Sequence, residues 1–254
     1  MPIVILVDIG NTHTHVARTD GRKITRRADL LTADWFKPGG HKAFARFAGR
    51  IPPAGIAVCS VVPRATPRLR KMARGWGSAF FELNARTVSR VGVSYPRPET
   101  IGPDRLANAV AAKHHFGAPV VVVDFGTAVT FDVVDGRGDY VGGIIAPGLA
   151  VMTDYLHEKT ALLPRIKIRD VTQLIGKSTE QAMLIGAVHG YRGMVRELLA
   201  GLRRQLRAPR LRVVATGGYA KLVAAKLDVA AIDPDLTLEG LRLEWEARGE
   251  VNGE

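Results

Sequence analysis

The sequence IVILVDIGNT at residues 3–12, together with PVVVVDFGT at residues 119–127, decides the fold. In each segment an apolar run of strand length ends at an aspartate, Asp8 or Asp124, which is closely followed by a glycine and a hydroxyl residue. A short apolar run bounded by turn residues is typical of a fully buried β-strand. The chain therefore predicts two buried strands that run into acidic turns of the same design.

The residues after each acidic turn also repeat the same order. Alternating and β-branched residues over 12–19 and 127–134 lead to Asp-Gly-Arg turns that begin at Asp20 and Asp135. These turn aspartates follow the first aspartate of their own copy by 12 and 11 positions. Such alternation before a turn predicts a β-hairpin in each copy. Two matching units favour a duplicated α/β domain over the alternative, a chance similarity of two short turns.

The rest of the chain alternates strands and helices, which is typical of an α/β fold. We predict strands at 56–62, closed by Pro63, and at 211–215, and helices at 105–116, 179–206 and 221–226. Asp104 is the predicted N-cap of the helix at 105–116, and Cys59 is predicted to lie in the core. The duplication predicts an N-terminal domain over residues 1–117 and a C-terminal domain over residues 118–254.

Composition restricts the class of protein before any motif is considered. With 46% hydrophobic and 24% charged residues, the 254-residue chain can bury a substantial core, which excludes a disordered protein. The net charge of +12 predicts attraction to anions such as nucleotides, phosphorylated metabolites, nucleic acid or acidic lipids. The single cysteine excludes an internal disulfide, and no Cys/His cluster suggests zinc. With no targeting segment and no membrane-spanning apolar run, we expect a cytoplasmic protein.

The two acidic turns carry the strongest indication of chemistry. A carboxylate at the end of a buried strand can hold a hydrated cation while the backbone N–H groups of the following turn surround phosphate oxygens. Asp8 and Asp124 would then serve a nucleotide's phosphates and a cation, with Thr-Gly-Gly at 216–218 close to a base or ribose. The alternative is a tight connection in which the aspartate only caps backbone groups. A P-loop is excluded, because Val171 stands where its first glycine is required.

Three further groups of polar residues have both a chemical and a structural interpretation. Gly-Pro-Asp-Arg at 102–105 places a carboxylate at a helix start beside a guanidinium that could bind an anion, and the alternative is a cap with a solvated arginine. His13 and His15 share one strand face, but no carboxylate or cysteine completes a metal pattern. The arginines over 192–207 are predicted to form a solvated basic face near a helix end.

Three motifs occur in a fixed order along the chain: Asp-Ile-Gly-Asn-Thr at 8–12, Gly-Pro-Asp-Arg at 102–105 and Asp-Phe-Gly-Thr at 124–127. With them the chain resembles the type III pantothenate kinases over nearly its whole length. The resemblance extends to Ser-Val-Val-Pro at 60–63 and to the glycine-rich stretch at 142–152. It implies two RNase H-like halves of the actin, sugar-kinase and Hsp70 superfamily, with ATP in a cleft between the halves.

The resemblance also implies a role for each matching position. Asp104 would be the general base of catalysis. The implied ATP-binding residues are Asp8, Ile9, Gly10, Asn11, Thr12, His13, Thr14, His15 and Thr127. The implied substrate-binding residues are Tyr95, Gly102, Pro103, Asp104, Arg105 and Thr179. Asp8 would serve magnesium through phosphate and water, and Asp124 would hold a monovalent cation, potassium or ammonium.

The function that this resemblance implies is ATP-dependent phosphorylation of pantothenate to 4'-phosphopantothenate, the first step of coenzyme A biosynthesis, by a homodimer. His13 and His15 stand in the phosphate turn where relatives more often carry small or uncharged residues. One alternative is a nucleic-acid-binding accessory regulator of the same fold, which the charge permits but no helix-turn-helix, RNP or zinc pattern supports. Another is a kinase or phosphatase of the superfamily that acts on a different small substrate, against which the segment at 95–105 argues.

Overall fold

The structure is a computed structural model that describes residues 3–251. The strands are β1 (Val4–Ile9), β2 (His13–Thr19), β3 (Ile24–Leu31), β4 (Gly55–Ser60), β5 (Ala79–Glu82), β6 (Gly92–Val93), β7 (Val120–Phe125), β8 (Ala128–Val134), β9 (Asp139–Pro147), β10 (Arg212–Thr216) and β11 (Ala231–Ile232). The helices are α1 (His41–Ala48), α2 (Thr66–Trp76), α3 (Pro103–Phe116), α4 (Leu149–Lys159), α5 (Thr179–Ile185), α6 (Tyr191–Gln205), α7 (Ala220–Ala224) and α8 (Leu236–Val251). Short 3-10 segments lie at Thr32–Phe36 and Pro98–Thr100.

Contacts between Cα positions divide the chain into two compact units. The first unit holds the chain up to His115, Gly138–Val141 and the chain from Asp235 onward, and the second holds Phe116–Arg137 and Gly142–Pro234. The predicted domains, residues 1–117 and residues 118–254, differ from these units chiefly because α8 groups with the first unit. Their boundaries stay a prediction.

The first sheet has the strand order β3-β2-β1-β4-β5. Its central strand β1 is antiparallel to β2 and parallel to β4, and β2 is antiparallel to β3. The predicted hairpin around Asp20 is therefore confirmed. The predicted strand at 56–62 is also confirmed as β4, which ends two residues earlier at Ser60. Ile5, Val7 and Ile9 on one face of β1 and Val4 and Leu6 on the other are all buried, as expected for a strand covered on both faces.

The second sheet has the order β11-β10-β7-β8-β9-β6 and repeats the pattern of the first. Its strand β7 is antiparallel to β8 and parallel to β10, just as β1 is to β2 and β4. The acidic residue occupies the equivalent place in both sheets: Asp8 pairs in register with Cys59, and Asp124 pairs with Thr216. The duplicated α/β unit that the sequence predicts is confirmed in this pairing.

The helical segment predicted at 179–206 is confirmed, with one irregularity and one correction. A π-helical turn at Gly186–Gly190 joins α5 to α6. Arg192 was expected on a solvated basic face, but that prediction is wrong for this residue, because its side chain is almost fully buried. Its guanidinium donates to Asp170 Oδ1 at 2.9 Å and to the carbonyl of Leu222. A buried guanidinium is stable only when it is paired in this way.

Helix α8 packs tightly within the first unit and fixes the segment before β6. A Cβ atom at Gly240 would collide with the Ala107 carbonyl of α3, so only glycine permits this approach of the two helices. The buried carboxylate of Glu244 accepts hydrogen bonds from the backbone N–H groups of Ser89 and Arg90 and from the Ser89 hydroxyl. Within residues 3–251, no helix has the length and apolar character needed to cross a bilayer.

Replacement of Glu244 by alanine should lower the free energy of unfolding by about 2–4 kcal/mol, because the buried carboxylate that accepts the Ser89 and Arg90 N–H groups and the Ser89 hydroxyl is lost. Glu246→Ala on the same helix is the control, since Glu246 is partly exposed and pairs with Arg242 at 3.3 Å. It should cost at most about 1 kcal/mol. Urea unfolding of both variants measures the difference. Equal losses would show that the Glu244 contacts do not stabilise the fold more than a surface ion pair does.

Candidate active site

The turn after β1 exposes the residues at its tip and buries those beside it. Asn11 and Thr12 are exposed, whereas the side chains of Ile9 and Thr14 are buried. All four belong to the ATP-binding set over 8–15 that the resemblance implies. Ile9 and Thr14 can therefore reach a ligand only through their backbone atoms.

His13 and His15 lie on the exposed face of β2, so the prediction that they share one strand face is confirmed. Their ring centroids are 6.2 Å apart. His15 Nδ1 is 2.7 Å from Oδ1 of Asp29 on β3, which gives this ring a carboxylate partner across the strand pair. Over residues 3–251, no group of three or more His, Cys, Asp or Glu side chains is arranged to hold a metal ion.

Asp8 lies beside the thiol of Cys59, and the charge of Asp104 also acts on this thiol. Asp8 and Cys59 are neighbours in register on β1 and β4, and the thiol donates to Asp8 Oδ1 at 3.4 Å. Burial raises the pKa of the Cys59 thiol well above its ordinary value, and the nearby charges of Asp8 and then Asp104 raise it further. The thiol is therefore a neutral donor. The implied phosphate-turn aspartate and the implied base therefore both belong to the first unit.

Asp104 is not the N-cap of its helix, so that part of the sequence prediction is wrong. Helix α3 begins one residue earlier, at Pro103, because proline is well suited to the first helical position, where no backbone N–H is needed. Asp104 lies in the first turn, and its Oδ1 accepts the N–H of Arg105 at 2.9 Å. Burial raises the pKa of the Asp104 carboxyl above its ordinary value, although the N–H and the charge of Arg105 oppose this shift.

Tyr95 and Arg105, which the resemblance places in the substrate pocket, both lie against a third residue, Tyr140. The ring of Tyr140 is buried on β9, with its centroid 6.3 Å from that of Tyr95 in an edge-on arrangement. The guanidinium carbon of Arg105 lies 5.8 Å from the same Tyr140 ring centroid. Sequence reasoning missed Tyr140, although its place between turn residues and a Gly-Gly pair on an alternating strand could have indicated an inward ring.

In the second unit, Asp124 lies against the glycine loop that follows β10. Gly217 has φ +90°, and a Cβ atom there would collide with the Asp124 carboxylate and the Phe125 backbone. Only glycine allows so close an approach. A Cβ atom at Gly148 would likewise collide with the carbonyl of Thr127, whose side chain is exposed. The structure therefore brings the predicted acidic turn and the predicted Thr-Gly-Gly turn together.

Thr179 is the first residue of α5 in the second unit, and its position is fixed by a reciprocal cap. The Ser178 hydroxyl accepts the N–H of Gln181 at 3.2 Å, and the Gln181 side chain accepts the N–H of Lys177 at 2.8 Å. Such a pair of bonds satisfies backbone donors that a helix start otherwise leaves unpaired. The Thr179 side chain is left exposed and able to contact a ligand.

Known proteins with similar sequences share one description. The sequence model of the type III pantothenate kinase family matches residues 4–201. A type III pantothenate kinase from Methylacidiphilum infernorum is 42% identical over 242 residues, which cover 94% of this chain and 87% of the relative. Another, from Akkermansia muciniphila, is 51% identical over 190 residues, which cover 73% of this chain and 76% of the relative.

Solved structures that are similar to this chain show the fold alone, because their sequence identities are low. A Baf family protein from Campylobacter jejuni, described as a transcriptional activator, is 20% identical with a TM-score of 0.64 and covers 97% of this chain and 99% of its own. The ADPNP-bound activator of a Clostridium difficile 2-hydroxyisocaproyl-CoA dehydratase, 12% identical, has a TM-score of 0.55 over 99% of this chain and 98% of its own.

Two sheets with the same internal pairing, together with the likeness to these solved structures, confirm the predicted α/β fold of two similar halves. The alternative of a nucleic-acid-binding regulator is not favoured, because the relatives that match most of the sequence carry the kinase description. The family model spans well over half of the residues, and relatives above 30% identity cover nearly all of them. The chain belongs to the type III pantothenate kinase family.

Proposed function

We propose that Asp104 is the general base of the phosphoryl transfer from ATP to pantothenate that this enzyme family carries out. The observation that carries this proposal is the half-buried Asp104 carboxylate in the first turn of α3, whose neighbour Arg105 lies over the Tyr140 ring. Phosphoryl transfer needs an acceptor hydroxyl, a group that takes its proton, and positive charge on the phosphates, all within a few ångströms. Asp104 would supply the second of these, the group that takes the proton.

The Asp104 carboxylate is suited to take the proton of pantothenate's hydroxyl. Its Oδ1 accepts the N–H of Arg105, and a carboxylate offers further lone pairs that can accept a substrate hydroxyl. Its raised pKa makes it a stronger base than an exposed aspartate. We place Tyr95 and Arg105 against the rest of pantothenate, with Gly102, Pro103 and Thr179 as the other contacts.

We place the ATP phosphates at the turn over 8–15, with Thr127 as a further contact. The carboxylate of Asp8 fits a magnesium ion, because this hard cation binds carboxylate oxygen and otherwise keeps water and phosphate ligands. When bound, magnesium would supply positive charge to the phosphate oxygens. The residues of the turn bind and orient the phosphates. A kinase of this kind works where ATP is abundant, and we propose a cytoplasmic location.

Replacement of Asp104 by asparagine should lower kcat by at least about a hundredfold, because asparagine cannot accept a proton. Its amide oxygen can still accept the Arg105 N–H. Because burial raises the pKa of Asp104, the wild-type protein loses stability as the pH rises through this pKa and the buried carboxyl becomes charged. Asparagine stays neutral, so the variant should unfold at no lower temperature than the wild type at pH 7. Steady-state ADP release and thermal unfolding measure the two quantities.

Two results separate catalysis by Asp104 from a structural role. Asp20→Asn in the exposed hairpin turn is the control, since Asp20 accepts two backbone N–H groups and should leave kcat unchanged. In the wild type, kcat should fall on the acid side at a pH above the pKa of an ordinary aspartate, and Asp104→Asn should lack this limb. Turnover of Asp104→Asn within about threefold of the wild type would contradict the assignment.

We also propose that Asp124 holds a monovalent cation, potassium or ammonium, that contributes to ATP binding. The support is the carboxylate at the carboxyl end of β7, which Gly217 approaches so closely that a Cβ atom would collide with it. This chain has no complete P-loop and so offers no P-loop lysine, and the charge of the phosphates has to be balanced by ions. A carboxylate oxygen suits such a hard cation.

Wild-type activity should therefore require magnesium and rise severalfold when potassium or ammonium replaces sodium. Asp124→Asn should lose most of this dependence and raise the KM for ATP, because asparagine keeps an oxygen ligand but not the charge. Asp135→Asn, in the second Asp-Gly-Arg turn, should respond to potassium as the wild type does. Full activity in sodium buffer, for both the wild type and Asp124→Asn, would contradict a cation site at this residue.

We further propose that the enzyme is a homodimer in which a second copy covers part of the second unit. Large apolar side chains are left exposed over a short stretch of this unit: Ile145, Val151, Met152, Tyr155, Leu156, Leu162, Leu174 and Ile175. The side chains at 151, 152, 155 and 156 share one side of α4, because 155 and 156 each follow 151 and 152 by four residues, about one helical turn. A concentration of exposed apolar surface is typical of an interaction site.

Light scattering should give twice the mass of one chain for the wild type. Tyr155→Glu should shift the mass towards that of a single chain, because a charge on the exposed face of α4 would be buried unpaired in the dimer. Ile51→Glu is the control, since Ile51 is 81% exposed but lies in the first unit. A wild type that stays a single chain at working concentrations would contradict the proposal.

A further inference from the structure

A buried chain of hydrogen bonds connects the 3-10 segment Thr32–Phe36 to the turn after β1. The Trp35 indole N–H donates to Thr14 Oγ1 at 3.0 Å, Thr14 Oγ1 lies 3.0 Å from Thr32 Oγ1, and the Thr32 hydroxyl donates to the Gly10 carbonyl at 2.7 Å. The three side chains are at most 4% exposed. No ligand-binding role has been given above to Thr32 or Trp35.

The direction of each hydrogen bond in this series follows from the groups at its two ends, the Trp35 indole and the Gly10 carbonyl. An indole nitrogen can only donate, and a carbonyl oxygen can only accept. The Thr32 proton is used for the Gly10 carbonyl, so the Thr14 hydroxyl donates to Thr32 and accepts from Trp35. Each hydroxyl therefore both accepts and donates, and hydrogen bonds aligned in one direction polarise and strengthen one another.

Thr32 holds the turn at two successive points. In addition to the bond from its hydroxyl to the Gly10 carbonyl, its backbone N–H donates to the Thr12 carbonyl at 3.1 Å. Both carbonyls are thus directed towards Thr32. The N–H of Asn11 belongs to the same planar trans peptide as the Gly10 carbonyl, and so it points the opposite way. N–H groups presented by a turn in this manner attract anions.

We infer that Thr32 and Trp35 are positioning residues for ATP, which fix the Gly10–Asn11 peptide so that the N–H of Asn11 faces the phosphates. This inference rests on the proposed phosphate-binding role of the turn. Buried hydroxyls are costly unless they are hydrogen-bonded, and this arrangement satisfies both of them completely. Thr14, although buried, takes part in the same positioning, because its hydroxyl relays the Trp35 bond to Thr32.

The test compares substitutions at Thr32, in the middle of this series of hydrogen bonds, with one at Trp35, its first donor. Thr32→Val keeps the shape of the side chain but leaves the Gly10 carbonyl without its donor, and it should lower kcat/KM for ATP at least about tenfold. The KM for pantothenate should stay within about twofold. Thr32→Ser restores the hydroxyl and should recover at least about a third of the wild-type kcat/KM for ATP. Trp35→Phe removes only the first donor and should give a smaller loss, of about threefold.

Thr19→Val is the matched control for a purely structural effect. Thr19 is fully buried at the other end of β2, and its hydroxyl donates to the Lys23 carbonyl at 2.9 Å. It should lose stability as Thr32→Val does, yet keep the wild-type kinetic constants per folded molecule. If Thr32→Val does not fold, Trp35→Phe decides, because its aromatic ring retains the packing against Phe44.

The outcomes separate this inference from the function of the turn itself. Wild-type KM for ATP in both Thr32→Val and Trp35→Phe, or equal kinetic losses in Thr19→Val and Thr32→Val, would overturn the positioning role. Asp8→Asn tests the turn independently. If Asp8→Asn binds ATP and turns over normally, the phosphate-binding role of the turn fails; if Asp8→Asn is impaired while the Thr32 and Trp35 variants are normal, only the positioning role fails.

Discussion

The parallel pairing of β1 with β4 is the contact on which the arrangement in the first unit depends. This register places Asp8 directly beside Cys59, and the thiol then donates to the carboxylate. Both strands are covered on their two faces, and a one-residue shift would move every side chain to the opposite face, where it would not fit the close packing already there. The position of the aspartate is therefore determined by the packing of Val7 and Val58.

The second unit meets the same constraint with different partners. Asp124 ends a buried strand and is paired in register with Thr216, after which Gly217 approaches its carboxylate. In each unit, the central strand can carry a polar group only near its carboxyl end, because the rest of the strand lies in the core. Because each copy of the unit carries its own acidic turn, duplication of the unit is sufficient to produce both turns.

The strands were predictable because their apolar runs are long and bounded by turn residues. Helix starts were less so: Asp104 has the side chain of a cap, but Pro103 can occupy the first helical position, so the helix starts two residues before the predicted residue 105. The helical position of Arg192 does not show that Asp170 and the Leu222 carbonyl bind its guanidinium. The first error arises from the adjacent proline, and the second from neighbours that are distant in the sequence.

The sequence by itself determined the duplicated α/β architecture, the two acidic turns and the family to which the chain belongs, because these depend on short ordered motifs and on local periodicity. The candidate roles of Asp8, Asp104 and Asp124 also came from these motifs. Only the tertiary structure decided which residues support them: Cys59, Tyr140 and the series of hydrogen bonds that runs from Trp35 through Thr14 and Thr32 to Gly10. The physical reason is that a hydrogen bond or a ring contact depends on atoms brought within a few ångströms, which residue type and spacing alone do not specify.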